Sequence, residues 1–245
     1  MNKFSSKLIF GTANLFTKYG QNGLYLDQKI SKDIMKFAFK KNIKTLDISS
    51  DYKIYNEKPE NVNFSKWNIS LKITRKILNK LRTKNKIKNF IKEIFDKFNC
   101  KKIKYILFHH DKDLFTKNGK LFFEYLSHLK KNNKVSKIGV SIYNCNKLFK
   151  ILKFFPIDMV QVPYNILDQR LIEPKSIKLI KKYKIEIHVR SIFLQGILVD
   201  KKILPSHFKN DKKIKNWFEY ISKNKLNPIN ETFCFINNNK FIKRV

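Results

Sequence analysis

The chain has 245 residues, 42% hydrophobic and 14% aromatic content, and a formal net charge of +34 at pH 7. This apolar content argues against a disordered chain, and no apolar run approaches the roughly 20 residues that a membrane span needs. Three scattered cysteines, an odd number, indicate neither a disulfide framework nor a metal site. The first residues lack the apolar segment of a secretory signal, so we expect a cytoplasmic protein.

The excess of positive charge has two interpretations. A basic surface is the electrostatic footprint of nucleic-acid-binding proteins. However, only five of the 53 basic residues are arginine, and the lysines are spread over the whole chain together with abundant Asn, Ile and Phe. That combination is typical of coding bias in an AT-rich genome. We therefore expect a solvated lysine surface with no specific nucleic-acid partner and with salt-sensitive, non-specific binding to polyanions.

Short β-rich runs alternate with amphipathic helical runs along the chain. The predicted strands are 7–11, 45–48, 69–73, 105–109, 137–141, 159–162, 186–190 and 241–245. The predicted helices are 31–42, 78–98, 120–131, 147–154, 174–183, 211–222 and 230–237. In the first of these helices, Ser31 is the expected N-cap, and Ile34, Phe37 and Ala38 form the expected apolar face.

Repeated strand–helix units predict a parallel sheet. Eight strands favour a closed α/β barrel, the (β/α)8 or TIM barrel, in which the last strand–helix unit is incomplete because the sequence ends at Val245. No Pro/Gly-rich linker divides the chain, so we expect residues 1–245 to form one domain.

Polar residues stand at or near the carboxyl ends of six predicted strands, which is where active sites of such barrels lie. These residues are Asp47, Lys72, His109, Ser141, Gln161 and Arg190. Each alone has a structural explanation, such as a snorkelling lysine or a core histidine. Their recurrence at equivalent positions favours a shared site at one mouth of the barrel.

Seven short motifs in chain order resemble those of the aldo/keto reductase family, and the resemblance covers roughly residues 7–245. They are 10–14 with Tyr19-Gly20, 45–52, the strand ending at Lys72, 106–109, 138–141 with Tyr143-Asn144, 160–168, and 189–196. The last two are similar to a bacterial branch of the family. The resemblance implies an NAD(P)H-dependent reduction of an aldehyde or ketone.

The resemblance also implies a role for each catalytic residue. Tyr52 would donate the proton, Lys72 would stabilise the phenolate as a nearby ammonium, and Asp47 would hold Lys72 in place and charged. His109 would orient the substrate oxygen. His110 is the rival histidine, because strand alternation sends neighbouring side chains to opposite faces. The motif register favours His109.

The implied cofactor is NADPH or NADH, and no metal is implied. Ser141 and Gln161 would bind the nicotinamide carboxamide, and Arg190 stands where the family commonly has an aromatic ring. The full set of implied cofactor contacts is Gly11, Thr12, Asp47, Ser141, Gln161, Arg190, Ser191, Phe193 and Gln195. The substrate class implied is a small-molecule carbonyl compound, and the oligomeric state is left open.

Three features depart from the family pattern. Lys53 follows Tyr52 where glycine is usual, and Ile142 follows Ser141 where many members have asparagine. The sequence ends at Val245, before the usual adenosine-phosphate-binding segment. These departures keep an alternative open, in which a shortened, weakly active or inactive barrel serves as a binding or scaffold protein.

Overall fold

The computed structural model describes residues 5–18, 20, 23, 25–60, 62–143 and 145–245. Two residues of the family-like motifs, Tyr19 and Asn144, lie outside this described part of the chain.

Eight parallel strands form one sheet in the order β1 to β8. They are β1 (Phe10–Gly11), β2 (Thr45–Ser49), β3 (Asn68–Ile73), β4 (Ile103–Phe108), β5 (Val135–Ser141), β6 (Met159–Pro163), β7 (Glu186–Arg190) and β8 (Ile242–Arg244). Backbone hydrogen bonds from Ile9 N to Val245 O (2.6 Å) and from Val245 N to Lys7 O (3.0 Å) lay the last strand beside the first. The sheet therefore curls into the predicted barrel.

Helices connect the strands on the outside of the sheet. They are α1 (Gln28–Lys40), α2 (Lys53–Asn56), α3 (Arg75–Leu78), α4 (Lys84–Phe98), α5 (Asp111–Leu114), α6 (Lys117–Lys131), α7 (Leu148–Phe154), α8 (Pro174–Lys182), α9 (Lys212–Lys223) and α10 (Pro228–Asn237). Among the described residues, no helix has the length and apolarity needed to cross a membrane.

The first helix corrects two predictions. Its N-cap is Asp27, whose side chain accepts a hydrogen bond from Ile30 N at 2.8 Å, so the helix begins one turn before the predicted cap. Ser31 instead lies inside the helix, buried, and donates to Leu26 O. The buried face consists of Ser31, Met35 and Ala38, whereas Ile34 and Phe37, which were predicted on the apolar face, are 37% and 62% exposed.

The helix predicted over residues 78–98 begins later than predicted, at Lys84, and Leu78 belongs to a separate short helix. Arg75–Leu78 forms α3, and α4 begins after Thr83, whose hydroxyl accepts a hydrogen bond from Lys86 N. Thr83 is thus the N-cap of α4 and sets the start of the helix, which apolar spacing alone did not predict. The apolar face of α4 is buried, with Ile87, Ile91 and Ile94 in the main apolar cluster.

The described residues form three buried apolar clusters, the third of which consists of Leu198, Trp217 and Ile221. The main apolar cluster lies between the sheet and the surrounding helices. Inside the ring, a small cluster of Tyr105, Leu107 and Met159 is at most 2% exposed.

Candidate active site

Three polar side chains from β2, β3 and β6 meet inside the mouth of the barrel. Lys72 Nζ donates to Asp47 Oδ2 at 2.5 Å and to Gln161 Oε1 at 3.3 Å. Gln161 Nε2 lies 3.4 Å from Asp47 Oδ1, which closes a triangle of hydrogen bonds. Parallel strands bring these residues together because their carboxyl ends share one edge of the barrel.

The Lys72 ammonium is deeply buried and paired. The side chain of Lys72 is 4% exposed and that of Asp47 is 15% exposed. Burial alone would lower the pKa of Lys72, but the Asp47 carboxylate raises it above the ordinary value. The lysine is therefore a cation at neutral pH in a site that water barely reaches.

Tyr52 follows β2 and precedes α2, which begins at Lys53. Its backbone N–H donates to Ser49 O at 3.0 Å, so the turn after β2 holds the residue at the mouth. The Tyr52 ring centroid lies 5.5 Å from Lys72 Nζ. The lysine at position 53, where glycine is usual in the family, starts a helical turn and leaves Tyr52 beside the buried ammonium.

The two adjacent histidines do not point to opposite sides of the sheet. Their rings stack with centroids 4.8 Å apart and planes inclined by 16°. Strand alternation does not apply to them, because β4 ends at Phe108 and the chain turns toward α5. The prediction that only one histidine can face the site was therefore wrong in its premise.

His109 is the more enclosed of the two histidines, and His110 is exposed. Nδ1 of His109 lies 3.4 Å from Ser49 Oγ. Burial, together with the charge of Lys72, lowers the pKa of His109 from 6.5 to about 4. The ring is thus neutral at physiological pH and can donate a hydrogen bond from one nitrogen while accepting at the other.

Gly11 of β1 and Thr12, which follows it, lie beside the strand that carries Asp47. Thr12 is fully buried, and both its hydroxyl (2.7 Å) and its backbone N–H (3.2 Å) donate to Asp47 O. The Thr12 hydroxyl therefore donates its hydrogen to the backbone of β2 and not to a group in the mouth of the barrel. Gly11 is the register partner of Asp47, and a Cβ built on it meets nothing within 4 Å, so open space lies at this strand end.

The residues on β5 and β6 fit an amide group such as the carboxamide of a nicotinamide. Ser141 and Gln161 are register partners and are 5% and 4% exposed. No hydrogen bond to the Ser141 hydroxyl is found within the described part of the chain. A hydroxyl and a side-chain amide at one level supply the donors and acceptors that an amide ligand needs.

The segment after β7 fits an anionic group. Ser191, Leu194 and Gln195 all have positive φ angles (57°, 46° and 56°), and Gly196 follows with φ 95°. Left-handed residues in such turns can direct backbone N–H groups toward an anion. In this segment the N–H groups of Leu194 and Gly196 donate to Ser191 O and Phe193 O, so an anion would have to be bound by other N–H groups. Arg190 adds a cation at the start of this segment, and its Nη1 lies 3.4 Å from Ser191 Oγ.

Two other members of the predicted cofactor set have identifiable neighbours. The guanidinium of Arg190 lies 4.9 Å from the ring centroid of Tyr143, which is 62% exposed at the mouth. Phe193 packs edge-on against Phe233 at 5.3 Å. The aromatic surface near Arg190 thus comes from the loop after β5.

Sequence reasoning missed Ser49 and Tyr143 as site residues. The signal for Ser49 was its position at the end of β2, two residues after Asp47 and on the same face. The contact of Tyr143 with Arg190 crosses from one loop to another and has no signature in local sequence.

The sequence model of the aldo/keto reductase family matches residues 7–240. No curated protein matches the chain. The chain is similar in structure to an aldo-keto reductase from Bacillus halodurans in its apo form, with a TM-score of 0.67 and 18% identity over 95% of this chain and 79% of that one. It is also similar to the glycerol dehydrogenase from Gluconobacter oxydans, with a TM-score of 0.64 and 13% identity over 98% of this chain and 81% of that one.

Proposed function

The chain belongs to the aldo/keto reductase family, and on that premise we propose that it reduces an aldehyde or ketone to an alcohol, with Tyr52 as the proton donor and NADPH or NADH as the reductant. The observation that carries the proposal is the buried ammonium of Lys72, held 2.5 Å from Asp47 and 5.5 Å from the centroid of the Tyr52 ring. A shared site of this composition favours an enzyme over an inactive scaffold.

Proton donation would begin at the Tyr52 hydroxyl, and the ease of donation would depend on the charge of Lys72 beside the ring. A fixed cation next to a phenol stabilises the phenolate that proton transfer leaves behind. Because Lys72 is almost fully enclosed, its charge acts with little screening by solvent. Asp47 keeps the ammonium charged and stationary, so no reorganisation is needed when the phenolate forms.

His109 would hold the carbonyl oxygen toward Tyr52. The ring is neutral above about pH 4, so it would donate one hydrogen bond without adding a second full charge near Lys72. The alkoxide that develops on the substrate would then lie among oriented donors.

When bound, the nicotinamide cofactor would supply the hydride. Ser141 and Gln161 would hold its carboxamide, because they are the buried amide-compatible pair at the site. Gly11, Thr12 and Asp47 would border it on the β1 and β2 side. Contacts to the pyrophosphate would come from the segment after β7, namely Arg190, Ser191, Phe193 and Gln195.

The test is the substitution Tyr52→Phe, which removes the phenolic proton and little else. Turnover of an aldehyde with NADPH should be abolished, while the Kd for NADPH, followed by protein fluorescence, should change little. Tyr183→Phe is the matched control, since Tyr183 is an exposed tyrosine following α8. Retained turnover in Tyr52→Phe would refute the assigned donor, and failure to bind cofactor at millimolar concentration would refute the reductase proposal.

We further infer that residues 1–245 act as one domain, because all eight strands belong to one sheet. A cytoplasmic location remains our proposal and is supported by three cysteines that are all free thiols. The proposed partner is a small carbonyl compound rather than a specific nucleic acid.

A further inference from the structure

Among the buried side-chain atoms that lack a hydrogen-bond partner in the described part of the chain, three belong to strands, namely Ser70 Oγ on β3, His188 Nδ1 on β7 and Arg244 Nε on β8. Ser70 Oγ and His188 Nδ1 are enclosed, and neither has a hydrogen-bond partner in the described part of the chain. Both side chains face the interior of the ring. Ser70 precedes the inward-facing Lys72 by two residues on β3, and His188 packs edge-on against Tyr105 of the interior cluster at 4.7 Å. Buried polar groups nearly always have a protein or water partner, so we expect a hydrogen-bond partner for Ser70 Oγ and for His188 Nδ1.

The two atoms flank the Asp47–Gln161 contact. Ser70 is the register partner of Asp47, and His188 is the register partner of Gln161. Register partners present their side chains on the same face of a sheet. Since Asp47 and Gln161 touch each other at 3.4 Å, the groups beside them on β3 and β7 face a common space below the site.

Whether Nδ1 of His188 is a donor or an acceptor follows from the hydrogen bond that Nε2 makes. Nε2 lies 2.8 Å from Glu186 Oε1, which also accepts a hydrogen bond from the Tyr105 hydroxyl, and Lys137 pairs with the second carboxylate oxygen. Burial lowers the pKa of His188, although Glu186 raises it in part. The ring is therefore neutral at pH 7, Nε2 carries the hydrogen, and Nδ1 is an acceptor that lacks a donor.

We propose that one water molecule is bound inside the barrel by Ser70, His188 and Asp47. The water accepts a hydrogen bond from the Ser70 hydroxyl, and it donates one hydrogen to His188 Nδ1 and the other to a remaining lone pair of the Asp47 carboxylate. Three hydrogen bonds are the usual number for a buried water. The arrangement pairs one unused donor with one unused acceptor, which neither side chain achieves alone.

The water has a positioning role for Asp47, a role that rests on the proposed function. Lys72 and Gln161 hold the carboxylate from its upper side, and the water restrains it from below. It also links Asp47 through His188 to Glu186, Tyr105 and Lys137 at the other end of the barrel.

A crystal structure of the wild-type protein at high resolution tests the binding site, and water-oxygen magnetic relaxation dispersion counts long-lived internal waters in solution. We expect density within hydrogen-bond distance of all three groups. Ser70→Val, which replaces the hydroxyl with a methyl group and adds a second, should lose one long-lived water. Ser31→Val is the matched control, because Ser31 is equally buried but its hydroxyl already donates to Leu26 O.

Absence of density between the three groups in the wild-type protein would overturn the proposal, as would an unchanged count in a folded Ser70→Val variant. If Ser70→Val does not fold, the electron density of the wild-type protein alone tests whether the water is bound. In an active enzyme, loss of the water should lower kcat about tenfold, the value of roughly one hydrogen bond, with KM for the carbonyl unchanged. An unchanged kcat with the water absent would overturn the positioning role. A wild-type protein without reductase activity would refute the proposed function while the density still decides the water site.

Discussion

Replacing Asp47 by Asn should destabilise the fold strongly, because it leaves the Lys72 ammonium buried without a counter-charge. The Lys72 side chain is 4% exposed, so little water can take over from the lost carboxylate. Removing one partner of a buried ion pair costs about 3–5 kcal/mol of unfolding free energy. The Gln161 oxygen at 3.3 Å remains as a neutral acceptor and should keep the loss near the lower end of this range.

The matched control is Asp111→Asn, in the ion pair between Asp111 and Lys147 at 3.0 Å. There the lysine side chain is 56% exposed and the aspartate 19% exposed. Water and salt screen such a pair, so the expected loss is about 0–1 kcal/mol. The same chemical change at two burial levels therefore separates the effect of desolvation from that of the substitution itself.

Guanidinium chloride unfolding at pH 7, followed by circular dichroism, measures both variants. A third variant, Asp47→Asn with Lys72→Met, removes both charges and should be more stable than Asp47→Asn alone, because no unpaired ion stays buried. Equal losses for Asp47→Asn and Asp111→Asn would refute the reasoning. A double variant no more stable than Asp47→Asn alone would refute it as well.

Gly139→Ala should destabilise the protein by about 1–3 kcal/mol, because its Cβ would lie 2.3 Å from Met159 Sδ and 2.7 Å from Met159 O, and the neighbouring strand must shift. Gly11→Ala, where nothing lies within 4 Å of the new Cβ, is the control for thermal unfolding, and equal shifts in Tm would contradict the packing argument. The pKa of His109, lowered from 6.5 to about 4, predicts that the unfolded chain binds a proton there before the folded chain does as the pH falls. Stability should therefore drop between about pH 6.5 and pH 4, and His109→Gln should show a smaller drop in urea unfolding over this window. If the free energy of unfolding depended on pH equally in the wild-type protein and in His109→Gln, His109 would not be the cause of the drop.

Much of the site follows from local sequence because barrel geometry is regular. Asp47, Lys72, Ser141, Gln161 and Arg190 could be placed at strand ends from β-rich runs alone, since each strand contributes inward residues at every second position. Eight such strands, closed in a ring, then bring their carboxyl ends to one mouth. Periodicity is sufficient for that inference, and no knowledge of long-range contacts is needed.

The buried faces and the ends of the helices were harder to predict from the sequence than the residues at the strand ends. Spacing placed Phe37 in the core, yet the helix begins at Gln28 after an Asp27 cap and leaves that ring 62% exposed. The sequence carries apolar residues on two sides of this helix, so periodicity alone does not say which side packs against the sheet. The packing of the assembled barrel decides which side of the helix is buried.

The sequence by itself determined the fold class, the family and the residue types that the proposed chemistry requires. Tertiary structure alone decided how enclosed those residues are and what shares their space, because burial and contact depend on segments far apart in the chain. The stacked rings of His109 and His110, the contact between Tyr143 and Arg190, and the unpaired atoms of Ser70 and His188 all arise in this way. Desolvation is a property of the assembled barrel, and it turns an ordinary lysine at the end of β3 into a charged group that water barely reaches.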